Sequence, residues 1–166
     1  MHKLFYLLCL VGFLACSNPK KVTAQPSAYE RLIERTDRIE LVSLHPEQLE
    51  SEIYGDDNKV FSSAITAEGV NVQRFDERIM LDKKWWKYLG SRLIKDYDDG
   101  MVAECYNPRN GIAYYSKDEI IGYLEICFEC DQLRFAGSFP PLENQPSELF
   151  HSLKRFFEKQ GISRTE

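Results

Sequence analysis

Two β-forming runs separated by four polar residues do most to restrict how this chain can fold. Gly111-Ile112-Ala113-Tyr114-Tyr115 and residues 120–128 are rich in β-branched and aromatic side chains, and Ser116-Lys117-Asp118-Glu119 lies between them. Such side chains fit a pleated, half-buried surface, and a short polar insert between two such runs makes an antiparallel hairpin. With the turn centred on Lys117-Asp118, the opposed pairs include Cys105 with Cys130 and Pro108 with Cys127. Pro108 has no amide hydrogen to give to a ladder, so regular pairing is expected to break near Asn107-Pro108.

This reversal gathers three thiols, Cys105, Cys127 and Cys130, and leaves three chemistries open. A Cys105–Cys130 disulfide would close about 26 residues and add roughly 3 kcal/mol in the loop-entropy picture, leaving one thiol over. Cys127-Phe128-Glu129-Cys130 also has zinc-knuckle spacing, with Cys105 as a third ligand and His45 or His151 as a fourth. A Cys-x-x-Cys pair can also cycle between dithiol and disulfide, although active pairs usually stand at a helix N-terminus and this one is expected in a strand. Beside the cysteines, Arg109 has the fork geometry to clamp a carboxylate or phosphate. Its competing role is an ion pair with Glu104, Glu125 or Glu129.

The remaining elements are read from periodicity. Residues 28–35 suggest a helical turn. Residues 38–44 alternate as a strand, with Ile39, Leu41 and Ser43 on one face and Glu40, Val42 and Leu44 on the other. His45-Pro46 ends it. A short helix is expected over residues 46–54 and a turn at residues 55–58. Residues 60–75 read as irregular with a strand at 70–75. Residues 80–94, with Trp85-Trp86-Lys87-Tyr88-Leu89, read as strand-rich. Residues 96–100 form an acidic turn whose glycine comes one position early for an EF-hand. Residues 133–135 are read as continuing the second hairpin strand, and Pro140-Pro141 ends the sheet.

The last element is a helix. Leu149, Phe150, Leu153, Phe156 and Phe157 fall on one stripe, Ser147 is the expected cap with Pro146 just outside, and Gly161 is the left-handed stop. The expected fold is therefore α+β: a small antiparallel sheet with a cysteine-bearing β-hairpin, and a C-terminal amphipathic helix packed on one face.

The first residues, MHKLFYLLCLVGFLAC, follow the order of a secretory signal: one cation, an apolar run from Leu4 to Leu14, then the small Ala15. That run is much shorter than the roughly 20 residues of a spanning helix. Phe13-Leu14-Ala15-Cys16 resembles the bacterial lipobox, with Phe13 where an aliphatic residue is usual. The resemblance implies cleavage before Cys16 and acylation of that cysteine, palmitate being the typical chain, which would hold the protein to a bilayer. Residues 1–15 are then a signal peptide, 16–27 the lipidated cysteine and a polar tether, and 28–166 a single domain. Asp is absent after Cys16, and Ser17 in its place points to the outer membrane, facing the periplasm.

Beyond the signal, 20 Lys+Arg stand against 26 Asp+Glu, since Lys3 is the one charge in the first 16 residues. That balance argues against nucleic acid, which needs a basic face. No nucleophile–base pair, glycine-rich phosphate loop or paired-carboxylate signature marks an enzyme, so no catalytic residue is assigned.

Cys105-Tyr106-Asn107-Pro108-Arg109-Asn110-Gly111-Ile112 and Ile126-Cys127-Phe128-Glu129-Cys130 resemble the two signature segments of an uncharacterised family of small secreted bacterial proteins. That family has Cys-aromatic-x-Pro-Arg-His-Gly-Ile and Ile-Cys-Phe-x-Cys, an early Ile-Glu-Leu strand (here Ile39-Glu40-Leu41) and a closing helix ending in Gly-Ile (here Gly161-Ile162). The resemblance implies that the two segments form one unit. It carries no activity, and Asn110 stands where His is usual, which weakens a metal or enzymatic role. The expectation is a membrane-anchored envelope lipoprotein acting as a non-enzymatic binding or accessory module. The alternative is a thiol-active or zinc-binding protein using Cys105, Cys127 and Cys130.

Overall fold

The computed structural model describes residues 27–44, 63–93, 107–140, 142, 145–163 and 165. The expected elements at residues 46–54, 55–58 and 96–100, together with the signal, Cys16 and most of the tether, lie outside the described residues.

In chain order the elements are α1 (Ala28–Arg35), β1 (Arg38–Ser43), β2 (Ile65–Thr66), β3 (Gly69–Val70), β4 (Glu77–Met80), α2 (Trp86–Leu93), β5 (Asn110–Ser116), β6 (Glu119–Cys127), β7 (Gln132–Gly137) and α3 (Ser147–Gln160). Short 3-10 turns at Val72–Arg74 and Lys83–Trp85 precede β4 and α2. Five strands form an antiparallel sheet in the order β4-β1-β5-β6-β7, and β2-β3 is a separate small hairpin. The α+β class is as expected, with the C-terminal helix on one sheet face.

Each element has a local cause. Helix α1 starts because the Ser27 hydroxyl accepts from Glu30 N–H at 3.1 Å while Glu30 Oε2 accepts from Ser27 N–H at 2.6 Å. These reciprocal bonds satisfy two amides that a helix start leaves open, and they carry the element to eight residues where one turn was expected. Helix α3 ends at Gly161, whose φ of 101° closes the last turn. Its stripe of Leu149, Phe150, Leu153, Phe156 and Phe157 is buried, as the spacing predicts. Ser147 does not cap it. Pro146 holds the cap position without a side-chain bond, and the Ser147 hydroxyl donates to the Asp131 carboxylate instead.

Three other expectations are corrected. Of residues 80–94, those described are helical from Lys83 to Leu93, not strand-rich. Asp82 accepts from Lys84 N–H at 3.0 Å to open the first turn, and Leu89 and Leu93 fall four apart on the buried face. The aromatic residues that read as strand formers serve packing: the rings of Trp85 and Tyr88 lie 6.2 and 5.4 Å from that of Phe156 on α3. Tertiary contact here outweighs a propensity difference of a few tenths of a kcal/mol per residue. The expected strand at residues 70–75 is a strand end followed by a 3-10 turn. Residues 133–135 do not prolong β6; they belong to β7, which runs back along it. The reversal is possible because Asp131 adopts φ 47°, a left-handed conformation that Asp tolerates better than most residues.

The β5–β6 hairpin turns on Lys117 and Asp118, both at positive φ, as the centred turn requires. A bulge then shifts the register by one residue, between Tyr114↔Gly122 and Tyr115↔Ile120. The ladder ends at Asn110↔Ile126, close to Asn107-Pro108 where a break was expected, and the one-residue shift takes Pro108 out of line with Cys127.

Both sheet faces are covered. Under the three helices lie Ile39, Leu41, Ile112, Tyr114, Leu124 and Ile126. On the other face Val42, Ala113 and Tyr123 meet Ala64, Val72 and Phe75 from the segment that carries β2 and β3. Each fully buried side chain of this size contributes about 1.5–3 kcal/mol.

Candidate functional site

The cysteine unit sits at the β6–β7 turn. Cys127 and Cys130 form a disulfide with a Cα–Cα separation of 5.3 Å, and each residue is 1% exposed. This corrects the Cys105–Cys130 pairing. The one-residue register shift and the end of the ladder at Asn110 remove the basis for that alignment, and Cys105 itself lies outside the described residues. The bond closes the tight turn Phe128–Cys130, and Phe128 packs edge-on against Phe157 of α3 at 5.6 Å. In this state neither sulfur is a thiolate able to bind metal or attack, and burial shields the bond from exchange. Among the described residues no group of three His, Cys, Asp or Glu side chains is placed to hold a metal ion. His151 is exposed on α3, and His45 lies outside the described residues.

Arg109 is joined to the same turn. Its Nη1 lies 3.1 Å from Glu129 Oε1, and its carbonyl accepts from Leu44 N–H at 2.9 Å. Of the three carboxylates expected to compete for it, Glu129 is the partner found, and Glu104 lies outside the described residues. Residues 109–112 and 125–129 are thus neighbours, tied by the β5–β6 ladder and by this ion pair. Asn110 is 1% exposed, directly opposite Ser43 and Ile126. It therefore faces the helix-covered core and not a solvent-facing site.

The feature missed from the sequence is Glu125. This carboxyl group is wholly buried, within the apolar part of β6 from Ile120 to Cys127. Its Oε2 accepts from the Ser63 hydroxyl and its Oε1 from Ala64 N–H, both at 2.5 Å. Ser63 Oγ in turn accepts from Ile65 N–H at 3.0 Å. The two bonds reach adjacent residues of one segment, so Glu125 clamps the start of β2 against the sheet. The signal for it was present: one charge inside Tyr123-Leu124-Glu125-Ile126-Cys127, a run that otherwise reads as fully buried. Ser63 carried no comparable signal.

Ser63, which that clamp holds, also lines a cavity of about 360 Å³. Leu133, Arg134 and Phe135 of β7 line it together with Ile65 and Gln145. Gln145 is positioned by its Oε1, which accepts from Leu133 N–H at 2.7 Å.

Other polar groups on the sheet serve structure. Glu40 accepts from Arg78 Nε at 3.2 Å and from the Tyr115 hydroxyl at 2.9 Å, while the Arg38 guanidinium lies 4.0 Å above the Tyr115 ring. Burial, then the adjacent Glu40 carboxylate, pushes the Tyr115 phenol up to about 12. Burial does the same to Tyr29, raised to about 12, and pushes Tyr114, 3.3 Å from it, well above the ordinary phenol value.

No protein-family model, curated protein or solved structure matches this chain.

Proposed function

We propose that this chain is an exported, lipid-anchored protein of the bacterial envelope, whose domain acts as a non-enzymatic binding or accessory module. The observation that carries the reading is the oxidised, buried Cys127–Cys130 pair. Such bonds persist in extracytoplasmic compartments and are rare where thiols are kept reduced. The signal-like residues 1–15 and the lipobox resemblance ending at Cys16 supply a route to that compartment. Two or more acyl chains on Cys16 would anchor the protein durably, since each buried methylene is worth about 0.8 kcal/mol and a single chain binds only marginally. In this reading residues 16–27 are the tether, leading from the anchor to the capped start of α1.

The thiol-active and zinc readings gain no support from the sulfurs, which are buried and already bonded to each other. A binding role draws support from the cavity beside β7, whose walls are fixed by Glu125 and by the Leu133–Gln145 bond.

Metabolic labelling with palmitate and fractionation of bacteria expressing the full chain test this reading. The expected result is label on the protein and recovery with membranes, both lost in Cys16→Ala. Continued membrane recovery of Cys16→Ala, or a natively made product with an unmodified amino end, would refute it.

A further inference from the structure

We propose that the aromatic and cationic face of α2, with the end of α3 beside it, is a membrane-contacting surface that rests on anionic phospholipid headgroups. The proposal deepens the lipid-anchored reading and rests on it for a bilayer within reach.

The sequence supplies the charge. Residues 83–93 hold four cations, Lys83, Lys84, Lys87 and Arg92, and no acid, in a chain whose net charge is −5. The fold sorts these residues by face. Leu89, Gly90 and Leu93 are buried, while Lys83, Lys84, Lys87 and Tyr88 are exposed. Packing against α3 adds a fifth cation, Lys159, whose ammonium lies 4.8 Å from the centroid of the Trp85 ring. Two acids border the surface. Asp82 accepts from Lys84 N–H and pairs with the Lys84 ammonium at 3.0 Å, and Glu158 accepts from the Thr165 hydroxyl.

Rings are interleaved with the cations. Trp85 stands edge-on to Tyr88 at 6.0 Å, and both lean on buried Phe156, at 6.2 and 5.4 Å. Lys84 and Lys159 lie over Trp85, Arg92 lies over Tyr88 at 4.8 Å, and Lys83 lies over Trp86 at 5.4 Å. A ring attracts a cation through its quadrupole and takes up none of its N–H donors, so the same ammonium can still donate to a phosphate. Core packing accounts for Phe156 and Leu89. It does not account for Tyr88, 36% exposed, or for the cations ranged around it.

This chemistry suits a bilayer surface better than an acidic protein. Trp and Tyr are enriched at headgroup level, where an apolar ring body and a polar edge are both satisfied. Lysine stems can lie along the rings with their charges among the phosphates, and each cation near an anionic leaflet adds attraction. The tether points the same way. It enters the fold at α1, and α1 packs on α2: the Tyr29 ring lies so close to Gly90 that a β-carbon there would stand 2.5 Å from it. Residues 16–27 span at most about 40 Å, so an acylated Cys16 holds this surface near the leaflet at an effective concentration of about millimolar order. An attraction too weak to recruit a free protein then suffices.

The test uses the full chain reconstituted in vesicles of phosphatidylcholine, or of phosphatidylcholine mixed equally with phosphatidylglycerol, with lipids brominated near the headgroup as quencher. The two tryptophans of the chain, Trp85 and Trp86, both belong to this surface, so intrinsic tryptophan fluorescence reports on it alone. Quenching is expected to be at least about twofold stronger in the anionic vesicles, and to fall to the phosphatidylcholine level in about 1 M salt, where the screening length is about 3 Å. Lys83→Glu, Lys84→Glu and Lys87→Glu made together should remove the enhancement, and the same three positions changed to Arg should keep it. Equal quenching in the two vesicle types overturns the proposal, as does undiminished enhancement in the Glu variant. A fluorescence response to poly-glutamate without one to anionic vesicles assigns the face to an acidic protein and overturns it too. The lipid and salt comparisons use the unsubstituted chain, so the proposal stays falsifiable if the Glu variant misfolds. Flotation with phosphatidylcholine vesicles reads the anchor and quenching reads this surface, so the two failures are distinguishable.

Discussion

The ring of Tyr123 on β6 occupies the space where a β-carbon on Gly111 of β5 would stand, so that such a carbon would lie 2.7 Å from Tyr123 Cζ. Both residues are buried and both backbones are held in the ladder, so neither can yield cheaply. Gly111→Ala is expected to destabilise the domain by about 1–3 kcal/mol, the range for overpacking a core. Urea denaturation checks this. In a double-mutant cycle with Tyr123→Ala, the cost of Gly111→Ala should largely vanish, because the obstacle is gone. Full additivity would show that the clash is not what position 111 avoids.

The Cys127–Cys130 bond closes only a tight turn, which limits what it can add. The loop-entropy relation gives about 2 kcal/mol for so short a ring, against roughly 3 kcal/mol for a Cys105–Cys130 closure. Cys127→Ala with Cys130→Ala should therefore lower the unfolding free energy by about 2 kcal/mol, plus the packing lost at two buried sites, and leave a cooperative transition. Proteolysis of unreduced protein followed by mass spectrometry reads the pairing directly. A fragment joining Cys105 to either other cysteine would contradict it.

What could be read from the sequence followed the strength of local signals. The stripe of α3, the alternation of β1 and the β5–β6 turn were legible because period and turn chemistry agreed there. The helix carrying Trp86 and Tyr88 was not, because aromatic residues signal strand by propensity while their real role is contact with Phe156, distant in sequence. The cysteine pairing failed for a narrower reason. A single bulged residue near Ile121 moves every later partner by one position, and nothing local in Glu119-Ile120-Ile121-Gly122 announces it. Of the site, Glu125 was visible as a charge in an apolar run, but its partners Ser63 and Ala64 lie some sixty residues away and had no pattern of their own.

The Glu125 carboxylate ties the β2 segment to the sheet through Ser63 and Ala64, and the two bonds should behave as one unit. Ser63→Ala removes one hydrogen bond to a buried carboxyl group and is expected to cost about 1–3 kcal/mol. Glu125→Ala should cost at least as much, since it strands Ala64 N–H and opens a cavity. Hydrogen exchange at Ile65 and Val70 should accelerate in both variants while β5 and β6 stay protected. Equal acceleration across the whole sheet would mean that Glu125 holds the global fold and not this wall.

Alkaline pH should weaken the domain through its buried phenols. Tyr29 and Tyr115 keep their protons to about 12 because burial disfavours the phenolate, and Tyr114 is pushed well above its ordinary value. In the unfolded chain the same groups lose their protons near pH 10. Between about pH 10 and 12 the unfolded state therefore binds fewer protons than the folded state, and stability falls as pH rises. Below about pH 10 both states hold these protons and the groups contribute no slope. For Tyr29 alone, a gap of about two units corresponds to roughly 2–3 kcal/mol lost by pH 12. Urea midpoints measured across this window should decline steeply in the parent protein. Tyr29→Phe should show a shallower decline, by about 1.4 kcal/mol per pH unit. An unchanged slope in that variant would mean that Tyr29 ionises as readily in the fold as outside it.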